Sequence, residues 1–447
     1  MRRIFSLSTF VAGHALLPLL PLLSGYAHAA EETSTEDWNA HLQSTYTWQN
    51  KHAFAAAYSG PNSLSTSREL SYSWTTTLAF GWRPWQDGEL YFNPEAAQGI
   101  PLSGLTGLGG FSNGDMGRAS GDTLKLYRAR LFLRHSWQQD GTSTEVESAA
   151  NQLAGTQSEN RWVLTAGNLS VLDVFDPNSY AHDPRTQFLN WSLMSYGAYD
   201  YAADARGYTW GAALEYYHGD WAVRAGRFIE PRQPNGQALD PKIWRHYGDQ
   251  IELEHAHTLA GQSGRVRLLA FNSHLRMTRF DDATALGQRT GQPPQLDLAR
   301  NGEQHKRGFG ISLEQTLSPD LGLFSRYSKA DGQTETYAFT EIDQSFTAGA
   351  VLHGTTWQRP QDSAGVAVAS NGLSAARRAY LAAGGIGFFI GDGALQYRQE
   401  QALEAYYSLA LSKSLALTLD WQRIRHPAYN AARGPVEIAS LRLHTEF

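Results

Sequence analysis

The chain contains no cysteine, so no disulfide can staple it, which counts against a small secreted scaffold. Beyond residue 29 no run approaches the roughly 18 uninterrupted apolar residues that a membrane-crossing helix requires. Mean hydropathy over the whole chain is negative. Cationic charge is also in short supply. The 37 Lys and Arg against 43 Asp and Glu give a formal charge of −6, which becomes −8 once Arg2 and Arg3 are lost with the leader described next (−6 − 2). A mildly acidic chain is a poor nucleic-acid binder, so no nucleic-acid partner is expected. No Pro/Ser linker or break in composition divides the sequence, and the mature chain reads as one domain.

What is present begins with an export leader. Residues 1–29 carry Arg2 and Arg3, an apolar run, and Ala27-His28-Ala29 as a small-x-small cleavage site, the pattern of a signal peptide. The mature domain is therefore expected to span residues 30–447. Glycine (42) and aromatics (13 Trp, 21 Tyr, 19 Phe) are abundant, while methionine (4) and lysine are scarce. Gly-rich turns with aromatic girdles suit a barrel in a bilayer, whose strands carry only half the apolar signal of a helix. A soluble secreted protein is the competing reading.

Alternation decides between them. Leu70, Tyr72, Trp74, Thr76, Leu78, Phe80 and Trp82 interleave with Ser71, Ser73, Thr75, Thr77, Ala79 and Gly81. This is period-two patterning over a run longer than the roughly 9–11 residues with which a strand crosses hydrocarbon. Trp38–Gln49 alternates in the same way, as do 250–257, 265–270, 308–316 and 321–326. In 126–137, Tyr127, Ala129, Leu131, Leu133 and Trp137 stand opposite Arg128, Arg130, Phe132, Arg134 and Ser136. Gly, Asp and Asn pairs such as Asp87-Gly88, Asp140-Gly141 and Gly219-Asp220 mark turns. Further strands are expected near 90–97, 345–352 and 378–390. The chain ends on an alternating strand, Leu441–Phe447, whose terminal aromatic resembles the C-terminal signature read by the barrel-assembly machinery. The expectation is an all-β, transmembrane antiparallel β-barrel of 16 strands, with 18 as the alternative, sitting in outer-membrane lipid.

Between the strand Trp162–Ala166 and the hairpin Tyr208–Phe228 lies NLSVLDVFDPNSYAHDPRTQFLNWSLMSYGAYDYAADARG. It is too long for a hairpin loop and too aromatic for disorder, so it is expected to fold inward into the barrel. This stretch, the later TWQRPQDSAGVAVASNGLSAARRAY, and EAYYSLALSKSLALTLDWQRIRHPAYN together resemble the carbohydrate-selective (OprB-like) porins over most of 160–447. The mature N-terminus departs from that family's pattern: Asp37-Trp38-Asn39-Ala40 stands where many members carry a Trp-Gly-Gly segment. The resemblance implies a sugar-permeable outer-membrane channel of a Gram-negative cell, narrowed by charged inward loops.

A sugar pore needs fixed donors and acceptors to replace lost hydration, yet must release its solute. Arginine supplies a planar fork of donors that stays charged. The alternation places Arg128, Arg130 and Arg134 on the lumen face of one strand, Arg265 and Arg267 on another, and Glu252 and Glu254 on its neighbour. In the long loop, Arg185, Asn190 and Arg206 are expected to face substrate, with Trp191 and Tyr201 as stacking faces. The bland alternative is that these charges merely pair with one another across strands. No catalytic residue, metal ligand or cofactor is expected. His182 and Asp183 are neighbours in a loop rather than a triad, no Gly-x-Ser-x-Gly elbow is expected, and Asp173, Asp176 and Asp183 do not have EF-hand spacing. The expected function is passive, carbohydrate-selective diffusion of mono- and oligosaccharides by a monomer or homotrimer, with no enzymatic step. A polysaccharide-export barrel, a general diffusion porin and an outer-membrane hydrolase are the alternatives.

Overall fold

Side-chain polarity is inverted relative to a water-soluble sheet. Leu70, Leu78, Phe80 and Trp82 lie on the exposed outer surface, while Ser71, Ser73, Thr75 and Thr77 between them are 2% exposed or less. The computed structural model describes residues 35–447 apart from 120, so the leader expected over 1–29 lies outside the described residues. Among the described residues there are eighteen strands. The first group is β1 (Trp38–Lys51), β2 (Glu69–Trp85), β3 (Gly88–Ile100), β4 (Gly121–Gln138), β5 (Ser143–Val146) and β6 (Gly155–Ser158). Next come β7 (Arg161–Leu169), β8 (Thr209–His218), β9 (Trp221–Ile229), β10 (Tyr247–Leu259), β11 (Gln262–Leu275) and β12 (Gln304–Ser318). The last are β13 (Leu321–Ala330), β14 (Gln344–Gly354), β15 (Arg359–Gly372), β16 (Glu400–Ser412), β17 (Leu415–Arg425) and β18 (Val436–Glu446).

Sixteen of them, all but β5 and β6, close an antiparallel barrel in chain order. The ring is sealed by β1 against β18, from Gln43 opposite Glu446 to Lys51 opposite Ile438. Closure leaves no unpaired strand edge, the condition for crossing lipid with strands. The count is sixteen, not eighteen. The strand expected near 378–390 is instead a helix, Ala375–Ala382. Ser374 caps it by accepting the Arg377 N–H at 3.1 Å, and Gly384-Gly385 ends the run. An Ala-rich stretch satisfies its own backbone there and needs no sheet partner.

One end of the barrel is trimmed short. Connections 86–87, 219–220, 260–261, 319–320 and 413–414 have two residues each, and 355–358 has four. The exception at that end is 139–160, which carries the β5–β6 hairpin. The other end bears the long connections, and several fold into the barrel. Residues of 102–111, 170–208, 331–343 and 373–399 build an apolar cluster inside the ring, in which Phe111 meets Phe389 at 4.7 Å and Trp191 meets Phe339 at 5.3 Å.

An irregular loop buried in a barrel must find partners for its backbone, because each unpaired group costs free energy. The wall supplies them. Glu404 accepts the N–H groups of Leu189 and Asn190, Glu252 that of Asp176, and Glu314 that of Ser179. Glu400 does the same for Gly109, Gly110 and Ala428. Arginines serve the carbonyls. Arg442 donates to Pro184 and Gln187, and Arg326 to Ala181 and Leu193 while pairing with the Asp176 carboxylate at 2.9 Å. Glu230, just past β9, has none of these backbone donors. Burial, and next the neighbouring Asp200, push its carboxyl up to about 8.

Two outcomes follow for the loop anchors. Arg326→Ala strips two carbonyls and one buried carboxylate of their partner, a loss of about 3–5 kcal/mol. Limited proteolysis is expected to cut the variant within 170–208 under conditions that leave the wild type intact. For Glu230, a carboxyl raised on folding makes stability fall as pH rises from its unfolded value through about 8. Glu230→Gln should therefore flatten that decline when unfolding is followed from roughly pH 5 to pH 9.

Candidate functional site

Strand β4 changes face part-way along. Asn93 on β3 stands opposite Arg130, but the next residue, Pro94, stands opposite Arg128, leaving Ala129 as an extra residue on β4. A bulge of this kind shifts the alternation by one. Proline, which brings no N–H to the ladder, sits where the pairing slips. Below the bulge Arg130, Phe132 and Arg134 point inward. Above it the inward residue is Tyr127, whose hydroxyl bonds to buried Glu95. Arg128 thus departs from the expectation of a lumen position. It lies on the outer face, its guanidinium 5.0 Å from the ring centre of the exposed Trp210 and its Nε donating to Asn168 at 3.1 Å.

The inward residues meet the root of the long loop. Arg130 grips Asp173 with two hydrogen bonds, at 2.7 and 2.6 Å, and lies 5.3 Å from the Tyr208 ring. Crowding by protein would raise the Asp173 carboxyl, but Arg130 and the Ser170 N–H outweigh this and hold it below the usual carboxylate range. Arg185, on the loop itself, is buried; it pairs with Glu95 at 2.8 Å and Asp115 at 3.1 Å. Arg206 stacks over Tyr127 at 4.2 Å. Of these groups Arg130, Asp173, Arg185 and Tyr208 border a cavity of about 260 Å³, with Asn93 and Asp183 also in its lining, whereas Arg206 does not reach it. Towards the short-turn end a wider chamber of about 710 Å³ opens, lined among others by Arg83, Glu89, Arg134, Asp173, Arg161 and Tyr217. Asp173 borders both.

The opposite wall is an ion-pair ladder. Arg224 bonds Glu252 at 2.9 Å and Glu254 at 3.1 Å, and Arg267 bonds Glu254 at 2.6 Å and Glu314 at 3.0 Å. Glu252, Glu254 and Arg267 point inward as expected, yet all three are buried beneath the loop. Arg265, by contrast, keeps nearly half its side chain open while reaching Glu314 at 3.1 Å. Asn190 is 1% exposed and structural: its side chain caps Trp191–Met194 through the Ser192 N–H and donates to Gln422 at 3.1 Å. Trp191 and Tyr201 are buried against each other, so neither ring is offered to a solute. Sequence reasoning missed Glu95, Asp115 and Arg224 as partners. Glu95 and Arg224 carry the inward parity of β3 and β9, which is the signal that finds them.

Gly110-Phe111-Ser112-Asn113-Gly114 has the spacing of a nucleophile elbow, which the sequence reading did not expect. Ser112 is buried within an inward loop and donates to Gln49 Oε1 at 3.1 Å, with no histidine among its partners. Among the described residues no cluster of three or more His, Cys, Asp or Glu is arranged to hold a metal ion.

The family model of the carbohydrate-selective porins, OprB family, matches residues 61–447. The chain belongs to that family. It is an outer-membrane carbohydrate porin. A search of curated protein sequences found no match to the chain. Among solved structures, the high-pH form of OprB from Pseudomonas putida is similar, with a TM-score of 0.69 at 16% identity over 92% of this chain and 94% of that one. The outer-membrane channel DcaP of Acinetobacter baumannii is similar at a TM-score of 0.51 and 10% identity, covering 92% and 97%. At these identities the likeness concerns the fold, and the porin's own side chains must carry any argument about its solute.

The bulge separates two arginines that sequence parity had joined. Arg130→Ala removes a cavity donor and frees Asp173, and is expected to change single-channel conductance and sugar block about severalfold. Arg128→Ala, on the outer face, should leave both unchanged. Equal effects of the two substitutions would contradict the assigned faces.

Proposed function

We propose that this porin conducts neutral mono- and small oligosaccharides by passive diffusion, with no chemical step. The leader over 1–29 directs export, and the barrel from residue 30 is delivered to the barrel-assembly machinery through its last strand. In that strand Phe447 exchanges backbone hydrogen bonds with Leu42 on β1. Barrels of this class turn their short connections to the periplasm, so the 710 Å³ chamber is the exit vestibule and the long loops face outside. The porin works as a monomer or a homotrimer.

The observation that carries this reading is the composition of the cavities. Guanidinium forks held flat by carboxylates stand beside aromatic rings, as at Arg130, Asp173 and Tyr208. Such a surface offers donors and acceptors for ring hydroxyls and a face for ring C–H groups, without net charge strong enough to trap a solute. Arg130, Arg134 and Arg265 are the arginines that present donors to the sugar. Arg185, Arg206, Arg267, Glu252 and Glu254 shape the field behind them, and Asn190 holds the loop in place. Export of a charged polysaccharide would call for a lumen of one sign, whereas here acids and bases alternate.

Liposome swelling tests the reading. Sugars are expected to enter faster than amino acids of matched size, and equal rates would reduce the protein to a general diffusion porin. Purified protein incubated with glycans and lipids should show no turnover; sustained hydrolysis would overturn the channel-only account.

A further inference from the structure

The connection 139–160 is out of keeping with its end of the barrel, where five neighbours are two residues long. Its β5–β6 hairpin does not hang free. The tip, Glu147–Ala154, hooks back into the barrel and is tied to inward residues of β1–β4. Asn39 Nδ2 donates to the Gln152 carbonyl at 2.8 Å and to Ser148 at 2.9 Å. Arg134 donates to the Asn151 carbonyl at 3.0 Å, and the Leu153 N–H donates to the Tyr91 hydroxyl at 3.1 Å. Arg83 reaches the Ala154 carbonyl at 3.3 Å, and Ala154 pairs both ways with Glu36. Leu153 and Ala154 are buried. A reciprocal backbone pair between Ala149 and Gln152 closes a tight turn, in which Asn151 takes a positive φ of 62° that asparagine tolerates.

The turn occupies a telling place. Ala150 and Asn151 border the 260 Å³ cavity, while Gln152, Leu153 and Gly155 border the 710 Å³ chamber. The tip therefore stands as a partition between the two spaces, across from the Arg130–Asp173 pair. It is fastened by eight protein hydrogen bonds (to Asn39 twice, His41, Arg134, Tyr91, Arg83, and Glu36 twice), so it is a fixed wall rather than a loose strand. Ala150, at its apex, is exposed and contributes only a methyl group.

We propose that this tip is a second selectivity element, which sets the size of sugar that can leave through the short-turn end independently of the long inward loop. This rests on the sugar-channel reading, and the tests separate the two. The chain has no cysteine, so Ala150→Cys gives a single thiol. The ion current and sugar swelling of the unlabelled variant serve as the reference. Complete attachment of a bulky maleimide, checked by mass, is expected to cut ion current about twofold or more and to slow disaccharide entry more than monosaccharide entry. Complete labelling that leaves current and both swelling rates unchanged would overturn the proposal. A labelled channel whose current falls, but which never distinguished sugars from amino acids, would keep the partition and overturn the sugar reading. Replacing 141–158 by a two-residue turn should act in the opposite sense, raising current and admitting larger sugars. An unaltered size limit in that variant would also overturn the proposal, and if it does not assemble, the thiol experiment decides alone.

Discussion

The structure depends on one constraint: a sixteen-strand ring leaves more interior than its own wall can fill, so irregular chain must be buried there with its backbone satisfied. Strand residues meet that demand with charge. Glu404, Glu400, Glu252 and Glu314 take loop N–H groups, and Arg326 and Arg442 serve loop carbonyls. These groups suit the task because one carboxyl can accept two neighbouring N–H groups, as Glu404 does, and one guanidinium can serve two carbonyls, as Arg442 does. The cost of burying such groups is offset in part where an acid faces a cation, as Glu252 faces Arg224, Glu314 faces Arg267 and Asp176 faces Arg326, while Glu400 and Glu404 are held by the loop N–H groups they accept. At the root of the loop the two tasks meet, since the Arg130–Asp173 pair that anchors it also borders the open space.

The channel that results is asymmetric. On the long-loop side the interior is apolar and aromatic, built from loop residues such as Phe111, Trp191, Phe339 and Phe389. Toward the short turns it becomes polar and open, with Arg130, Arg134 and Asp173 beside the cavities. The β5–β6 connection narrows that second half from below. Ordered protein therefore stands on both sides of the open spaces, the long loops on one and the β5–β6 tip on the other.

Much of this was legible in the sequence, and the failures are instructive. Period-two patterning identified the barrel and the inward set Glu252, Glu254, Arg265 and Arg267, because lipid on one face enforces strict parity. Parity failed at Arg128, where one extra residue beside Pro94 reverses the faces; the strand proline and the shift of leucines from Leu124 and Leu126 to Leu131 and Leu133 are the marks of that slip. It failed again near 378–390, where Ala-rich chain with a serine cap forms a helix inside a loop. Asn190, Trp191 and Tyr201 were expected to meet solute because they are polar or aromatic in a long loop. Inside a barrel those same properties let a loop bond and pack against the wall, and burial consumed all three. The 139–160 connection was hidden by Asp140-Gly141, which reads as an ordinary tight turn although the chain continues for another hairpin.

Hydrogen exchange of the detergent-solubilised protein tests the central claim most directly. If wall charges hold the loop, the amides of Asp176, Ser179, Leu189 and Asn190 should exchange as slowly as amides in β10 and β12. Rapid exchange of those four amides beside protected strands would show that the loop is not fastened to the wall, and the account of the lumen would be wrong.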